Sequence, residues 1–196
     1  MPVDPHAHLQ IRLIDAVEQF AAQLSGNGFN LFDQRTGRST EDDFFRPAVF
    51  QHGDPGVQNL IVGPDGRVSF IDWENAEDRG APFWDLLVFL RAYAVWSSRR
   101  RRLRSRLGAA VEHFVDGSTL SPFILDAMAE YRRAVAVPSE AVEPLFFMAW
   151  VYQAVNEAPR LQRDRLADGQ FVRFLDALVQ RRDAPLLRRL LGAVEA

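Results

Sequence analysis

The sequence predicts an α+β protein that is mainly helical, with a small β-hairpin in its first half and a helical bundle in its second half. Between residues 47 and 71, short apolar segments alternate with glycine and proline, which is typical of strands and tight turns. Later in the chain, apolar residues recur at spacings of three and four, and prolines separate the repeats. With 196 residues, of which 47% are hydrophobic, we expect one compact domain.

The segment before the hairpin is predicted to contain one amphipathic helix. From about residue 8 to residue 24, apolar side chains are spaced by three and four positions. They belong to Leu9, Leu13, Val17, Phe20, Ala21 and Leu24. Residues 33–43 are polar and are predicted to form a loop. His6 and His8 have no third ligand beside them, so we predict no metal site there.

A β-hairpin is predicted in the first half of the chain. Residues 47–50 form a short strand that leads into a loop, and residues 59–62 form the strand that leaves it. Residues 63–66, Gly-Pro-Asp-Gly, predict a tight turn, because proline presets one backbone angle and glycine allows a positive φ. The next strand, 67–71, ends immediately before Asp72. The hairpin should therefore bring Asp72 close to the loop.

Three oxygen-bearing side chains flank this hairpin, namely Asp54, Asn59 and Asp72. A carboxylate such as that of Asp54 can accept the proton of a substrate hydroxyl. Asn59 and Asp72 offer the oxygen ligands that Mg²⁺ prefers. A single Asp beside glycine or proline is commonly a turn cap, but the joint spacing of all three is typical of phosphoryl-transfer loops. His52 is expected to brace the loop through backbone hydrogen bonds.

Three short motifs lie in this region: His-Gly-Asp-Pro-Gly-Val-Gln-Asn at 52–59, Ile-Asp-Trp-Glu at 71–74 and Pro-Phe-Trp-Asp-Leu at 82–86. Together they resemble the carboxy-terminal lobe of the aminoglycoside phosphotransferase and choline kinase-like family, which has a protein kinase-like fold. The resemblance is specific between about residues 50 and 90 and only architectural beyond them. Many members carry a histidine where this chain has Gly56, but the spacing between the loop's Asp and Asn is intact.

The resemblance implies a role for most polar residues of these motifs. Asp54 matches the catalytic base, and Asn59 and Asp72 match the Mg²⁺ ligands. Asp85 matches a buried carboxylate that braces the catalytic loop from the following helix. Adjacency to Asp72 would place Glu74 near the edge of the metal site or the substrate. The implied cofactor is Mg²⁺, and the implied co-substrate is ATP or another nucleoside triphosphate.

Members of the family also carry an amino-terminal lobe, in which a glycine-rich turn and a strand lysine hold the nucleotide phosphates. Here about fifty residues precede the loop, all 23 basic residues are arginine, and no glycine-rich motif of that spacing occurs. We therefore expect a carboxy-terminal lobe alone, divided into residues 1–46, 47–96 and 97–196. A partner chain could supply the other lobe.

Five helices are predicted after the hairpin, and residues 75–82 before them are predicted to form a loop. The predicted helices cover residues 83–96, 121–135, 139–156, 168–181 and 185–194. The prolines near their boundaries are Pro122, Pro138, Pro159 and Pro185. The second half of the chain is therefore predicted to be helical throughout.

The resemblance also places an acceptor pocket for a small molecule between the carboxy-terminal helices. Trp150 and Tyr152 could line this pocket, and Glu157 could bind a cationic substrate. The alternative is that the aromatic side chains belong to the core and that Glu157 is solvated.

Charge and composition argue against several classes of protein. A net charge of −3 argues against a globally basic nucleic-acid-binding protein, and the absence of cysteine excludes a disulfide framework. The run from Arg99 to Arg106 could make a weak contact with an anionic surface, although a solvated helix face is the commoner outcome. Residues 83–96 are too short to span a membrane and contain Asp85 and Arg91. The start of the chain does not resemble a secretory signal, and we expect a cytoplasmic protein.

Three functions are compatible with these observations. The first is ATP- and Mg²⁺-dependent phosphorylation of a hydroxyl group on an aminoglycoside, a sugar or an amino alcohol. The second is binding without catalysis, as in a pseudokinase, and the third is Mg²⁺-dependent hydrolysis of a phosphorylated substrate. The intact trio of Asp54, Asn59 and Asp72 favours the first and third, whereas the missing lysine and glycine-rich loop weigh against the first for the isolated chain. No motif identifies the acceptor.

Overall fold

The computed structural model describes residues 48–100, 105–161 and 163–192. Within these ranges the chain is mainly helical and has two small pairs of antiparallel strands, which agrees with the predicted α+β class. The strands come first and the helices follow. The predicted helix at 8–24, the loop at 33–43, His6 and His8 lie outside the described residues, as do residues 101–104 of the arginine run.

Four short strands form the two pairs. They are β1 (Val49–Gln51), β2 (Leu60–Val62), β3 (Val68–Phe70) and β4 (Glu77–Gly80). Strands β2 and β3 form a hairpin in which Leu60 is paired with Phe70 and Val62 with Val68. The turn between them is closed by a 3.0 Å hydrogen bond from the Gly66 amide to the Gly63 carbonyl, and Gly66 has a φ of +83°. The predicted hairpin and its turn are therefore confirmed.

Strand β4 was not expected, because the sequence predicted a loop at 75–82. It pairs with β1, with Gln51 opposite Glu77 and Val49 opposite Gly80. The Gln51 side chain also donates a 2.6 Å hydrogen bond to the carbonyl of Ala81. The prediction is wrong for this strand because its side chains are polar and largely exposed, so no apolar alternation marks it.

In the part of the chain that the structure describes, six α-helices follow the strands. They are α1 (Trp84–Arg100), α2 (Arg106–Val111), α3 (Ser121–Val135), α4 (Ser139–Glu157), α5 (Gln170–Gln180) and α6 (Pro185–Leu190). A π-helical turn, Glu112–Asp116, continues α2, and 3-10 turns lie at Val57–Asn59, Trp73–Asn75, Ala158–Arg160 and Arg163–Asp168. The five predicted helices are all present, and α3 has the predicted bounds. The sequence missed α2, which has only six residues and is capped by Ser105.

The main core lies between helices α1, α3, α4 and α5. Phe114, Trp150 and Phe174 meet there edge to face, with ring centroids 5.0 Å apart for Trp150 and Phe174. Phe83, just before α1, packs against Tyr131 of α3 at 5.1 Å between ring centroids. This core holds the start of α1 against the two strand pairs, where the predicted site residues lie.

Among the described residues, no single helix has the length and hydropathy needed to cross a membrane. One pair of segments, Ser121–Val135 and Ser139–Arg160, satisfies the length and composition criteria together but is bent by 117°.

Candidate active site

The loop between β1 and β2 carries the first predicted site residues. It ends in the 3-10 turn Val57–Asn59, where the Asn59 amide donates a 2.9 Å hydrogen bond to the Gly56 carbonyl. Gly53 has a φ of +83°, and a Cβ atom there would lie 2.2 Å from the carbonyl oxygen of Asn75. Only glycine therefore fits this position, and the loop packs directly on the turn that follows Asp72.

The side chain of Asn59 holds Asp54. Its Nδ2 atom donates a hydrogen bond of 2.8 Å to the Asp54 carbonyl and one of 3.3 Å to Asp54 Oδ2. Asn59 is buried, whereas Asp54 is exposed. Because both contacts need the amide nitrogen as donor, Oδ1 of Asn59 is left as the acceptor end of the side chain. One side chain thus orients the predicted base and presents an oxygen of its own.

His52 connects the loop to the end of β3. Its Nε2 lies 2.9 Å from the carbonyl oxygen of Ile71, and its Nδ1 accepts a 3.3 Å hydrogen bond from the Asp54 amide. Since Nδ1 accepts, Nε2 carries the proton, and the ring is the neutral tautomer. The ring is fully buried and lies 4.4 Å from the Trp73 ring between centroids.

Asp85, in the first turn of α1, holds the same loop from the other side. Its Oδ2 accepts a 2.5 Å hydrogen bond from the His52 amide, and its Oδ1 accepts one of 3.2 Å from the Gly53 amide. The residue is 5% exposed. Burial raises the pKa of the Asp85 carboxyl, and the two amide hydrogen bonds oppose that rise in part.

Asp72 follows β3 and begins the 3-10 turn Trp73–Asn75. Its backbone is left-handed, with φ of 67° and ψ of 59°, and its side chain does not cap the turn. A non-glycine residue in this region is strained by about 1–2 kcal/mol, so the surrounding structure must hold it. The Trp73 indole does so by donating a 2.8 Å hydrogen bond to the Phe70 carbonyl.

Asp72 is also close in the chain to the contacts that join the hairpin to the loop. The amide of the preceding residue, Ile71, donates a 2.9 Å hydrogen bond to the Asn59 carbonyl.

Within the described ranges, no three histidine, cysteine or acidic side chains gather as a metal site. The predicted ligands are one amide and one carboxylate oxygen, a donor set that suits Mg²⁺, which keeps several waters and binds substrate phosphates as well.

A cavity of about 1180 Å³ opens beside the loop. Asp54 and Glu74 line one part of it, and Tyr152 and Glu157 of α4 line another. Tyr152 meets Trp84 edge to face, with ring centroids 3.9 Å apart. The structure therefore brings the predicted base, the predicted metal-edge residue and two predicted acceptor-pocket residues to one cavity. Its wall also contains residues that the sequence did not single out, among them Glu77, Arg79, Arg160 and Gln170.

Trp150 does not line this cavity and belongs to the core, which is the alternative that the sequence analysis gave for these aromatic side chains. It is 0% exposed and packs against Phe146, Phe114 and Phe174. The reason is helical phase, since Trp150 lies on the buried face of α4 while Tyr152, 46% exposed, lies on the opposite face.

Glu157 has a structural partner as well as a place in the cavity wall. Its Oε2 accepts a 2.9 Å hydrogen bond from the Phe171 amide, in the first turn of α5. A carboxylate at a helix amino terminus is stabilised by the unpaired amides and the helix dipole. Gly169 makes this approach feasible, because a Cβ atom there would lie 2.9 Å from Oε2. The predicted binding of a cationic substrate by Glu157 stays a prediction.

Arg91 is a buried cation behind the cavity wall, and the sequence analysis gave it no role in the site. Its guanidinium carbon lies 4.3 Å from the centroid of the Phe171 ring, and one terminal nitrogen donates a 3.4 Å hydrogen bond to Gln170. Burial lowers the pKa of Arg91 to about 10, and the nearby Glu157 carboxylate opposes this effect. The Nε atom has no hydrogen-bond partner among the described residues. No local sequence pattern signals this contact, because α5 supplies its partners.

The hairpin, the loop and the following helix carry the residues that the sequence analysis predicted for a phosphotransferase. The chain matches the model of the phosphotransferase enzyme family, APH, over residues 4–131, which is more than half of its length. The chain therefore belongs to this family. No curated protein and no solved structure matches it. The matched range includes Asp54, Asn59, Asp72 and Asp85 and ends within α3, before Tyr152 and Glu157.

Proposed function

We propose that the chain transfers the γ-phosphoryl group of ATP to a hydroxyl group of a small molecule, with Mg²⁺ as cofactor. The observation that carries this proposal is the double hydrogen bond from Asn59 Nδ2 to the Asp54 carbonyl and carboxylate. It fixes a carboxylate at the edge of a large cavity and leaves an amide oxygen beside it. The Asn59 side chain would therefore orient the base through its nitrogen and supply a metal ligand through its oxygen, as phosphoryl transfer requires.

Asn59 Oδ1 and the Asp72 carboxylate would hold the Mg²⁺ ion, with Glu74 at the edge of the site. The ion supplies positive charge for the phosphate oxygens and helps to orient the transferred group. The left-handed backbone of Asp72 supports this assignment, because such strain in a non-glycine residue is common at ligand sites.

Asp54 is the proposed general base. Its carboxylate accepts the proton of the acceptor hydroxyl while the hydroxyl oxygen forms a bond to the γ-phosphorus and the bond to the β-phosphate oxygen breaks. The products are the phosphorylated acceptor, ADP and a proton carried first by Asp54. His52 and Asp85 position this carboxylate by holding the amides of residues 52, 53 and 54.

The cavity supports an acceptor that is polar and carries an apolar face. Trp84 and Tyr152 form an aromatic wall, and several amide side chains offer both donors and acceptors to hydroxyl groups. These amides belong to Gln51, Asn75, Gln153, Asn156 and Gln170. Carboxylates outnumber the cations Arg79 and Arg160 in the lining, which favours an acceptor with amino groups. An aminoglycoside, an amino sugar or an amino alcohol fits this description.

We further propose that this part of the chain acts as a kinase-like carboxy-terminal lobe. The outward face of the hairpin is apolar, since Ile61 is 52% and Ile71 is 43% exposed next to Asp72. This face would be buried by the base of a bound nucleotide or by a lobe from a partner chain.

Turnover assays test the proposal. ADP release should be measured with a panel of aminoglycosides, sugars and amino alcohols, for the wild type and for Asp54→Asn. Asp78→Asn is the matched control, because Asp78 is an exposed carboxylate on β4 outside the cavity lining. We expect Asp54→Asn to lose about a hundredfold or more in rate, since a general base contributes that much, and the control to keep full activity. Equal rates for wild type and Asp54→Asn would refute the assignment.

A further inference from the structure

Gln51, the last residue of β1, is a buried polar side chain in the wall of the cavity. It is 6% exposed and lines the cavity together with Gly53 and Asp54. Its Nε2 atom donates a 2.6 Å hydrogen bond to the carbonyl of Ala81. Because a carbonyl oxygen can only accept, this bond fixes the orientation of the amide group. The free end of the side chain is therefore Oε1, which can only accept a hydrogen bond.

The Oε1 atom of Gln51 is accessible from the cavity. It has no hydrogen-bond partner among the described residues. Two other side-chain atoms in the described part of the chain are both unpartnered and fully enclosed, namely Arg91 Nε and Trp150 Nε1. Gln51 Oε1 is not one of them, so it lies at the surface of the cavity that its residue lines. A side chain that is almost wholly buried thus presents one unsatisfied acceptor to a ligand.

Gly80 of β4 provides the space in which the Gln51 amide lies. A Cβ atom at Gly80 would overlap both Cδ and Oε1 of Gln51. Gly80 is not among the described glycines with a positive φ, so its backbone conformation does not require glycine. The close approach of the Gln51 amide does require it.

Glu77 supplies a second acceptor beside Gln51. The two residues are paired across β1 and β4, which places their side chains on the same face with Cβ atoms about 5 Å apart. Glu77 is exposed and also lines the cavity. A fixed amide oxygen and a carboxylate side by side suit a group that has several donors and a positive charge. A protonated amino group has both, whereas a hydroxyl group has one donor and no charge.

We propose that Gln51 and Glu77 determine the specificity for the acceptor by binding one of its protonated amino groups. Gln51 Oε1 accepts one N–H of this group, the Glu77 carboxylate accepts another, and Gly80 leaves room for the Gln51 amide. This inference rests on the proposed function, because it names the part of the acceptor that the cavity recognises.

Titrations of protonated glucosamine and of glucose, followed by NMR chemical shifts, test the inference without ATP. The two sugars differ in one group, an amino group in place of a hydroxyl group. We expect the wild type to bind glucosamine about tenfold more tightly, as a hydrogen bond to a charged group allows. This preference should fall to about twofold or less in Gln51→Leu, which lacks the amide, and in Glu77→Gln, which lacks the charge.

Two further variants separate the position of the amide from a general change in the protein. Gly80→Ala keeps the Gln51 amide but displaces it, so the preference for glucosamine should fall there as well. Gln180→Leu is the matched control and should keep the preference. Gln180 also donates through its amide, at 2.8 Å to Asp176, but it is exposed on α5 and outside the cavity lining.

Three results would overturn the inference. They are no binding of glucosamine to the wild type, equal affinity of the wild type for the two sugars, and an unchanged preference in Gln51→Leu. A purely structural role of Gln51 would weaken the binding of both sugars equally and leave their ratio unchanged.

A second measurement uses the wild type and does not depend on a variant that folds. The side-chain amide protons of Gln51 should exchange with water about tenfold more slowly than those of Gln180, because the Gln51 amide is enclosed. Equal rates would mean that the amide is not held on Ala81, which would overturn the inference. Neither experiment needs phosphoryl transfer, so recognition of the amino group can hold where Asp54→Asn disproves the proposed reaction, and the two failures are distinguishable.

Discussion

The buried carboxylate of Asp85 accepts a 2.5 Å hydrogen bond from the amide of His52, which lies 33 residues earlier in the chain. Its other oxygen accepts the Gly53 amide at 3.2 Å. The first turn of α1 is thereby attached to the loop that presents Asp54, and the stability of the fold is coupled to the geometry of the site.

Asp85→Asn should destabilise the protein by about 1–3 kcal/mol near neutral pH. The amide nitrogen of the new side chain cannot accept a hydrogen bond, so either the His52 or the Gly53 amide loses its acceptor. Urea denaturation of the two proteins measures this difference. An unchanged free energy of unfolding would contradict the bracing role.

The same pair of proteins should differ in pH dependence. The folded state binds the Asp85 proton more tightly than the unfolded state, because burial raises the pKa above the usual value of 3.8. This contribution to stability is fully present below pH 3.8 and is lost as the pH rises through the raised pKa. The difference in the free energy of unfolding between the wild type and Asp85→Asn should therefore become smaller as the pH rises from 3.8 through the raised pKa. Denaturation curves at a series of pH values test this, and a deficit that grows with pH would contradict it.

Gly53→Ala should destabilise the loop far more than the same change at Gly66. Both glycines have a φ of +83°, so both substitutions introduce left-handed strain of about 1–2 kcal/mol. Only at Gly53 would the added Cβ atom also meet another group, the Asn75 carbonyl oxygen at 2.2 Å, whereas nothing lies within 4 Å at Gly66. Thermal unfolding of the two variants gives the comparison. Equal losses of stability would show that the loop does not pack on the turn after Asp72.

Trp150 and Tyr152 should respond in opposite ways to truncation. Trp150→Ala removes a buried core ring and should reduce stability by about 3–5 kcal/mol. Tyr152→Ala removes a half-exposed ring from the cavity and should leave the free energy of unfolding within about 1 kcal/mol while weakening acceptor binding. Chemical denaturation and acceptor titration separate the two effects. A large loss of stability for Tyr152→Ala alone would reverse the positions assigned to these side chains.

Arg91→Met should leave stability nearly unchanged or raise it. Arg91 is 7% exposed, and burial lowers its pKa to about 10, which indicates that its charge is poorly compensated. Methionine fills similar space without a charge to desolvate, and such replacements are often neutral or stabilising by about 1–4 kcal/mol. Arg91→Lys is the control that keeps the charge. A loss of stability for Arg91→Met comparable with that of Trp150→Ala would mean that Arg91 has a strong partner.

The sequence was sufficient to predict the hairpin and the helices α3 and α4. The hairpin is encoded locally, because Pro64 and Gly66 specify the turn and the apolar flanks specify the strands. Helix α3 has the predicted bounds since Pro122 lies in its first turn and apolar residues repeat at the helical spacing. Local patterns of this kind determine local structure.

Other features depend on residues far apart in the chain and could not be predicted from local patterns. Strand β4 exists because Glu77–Gly80 pairs with β1, although none of its side chains forms an apolar face. Arg91 is buried by Gln170 and Phe171, which lie about eighty residues later. The positions of Trp150 and Tyr152 depend on which face of α4 meets α5, and two residues along a helix change that face.

Calorimetric titration of ATP into the protein, with and without Mg²⁺, tests the central claim most directly. The comparison needs the wild type, Asp72→Asn, Asp54→Asn and the surface control Asp78→Asn. We expect Mg²⁺-dependent binding in the wild type, in Asp54→Asn and in the control, and its loss in Asp72→Asn, because Asp72 is the proposed charged ligand of the metal. Equal Mg²⁺-dependent affinity in Asp72→Asn and the wild type, or no binding of ATP to the wild type, would contradict the proposed site.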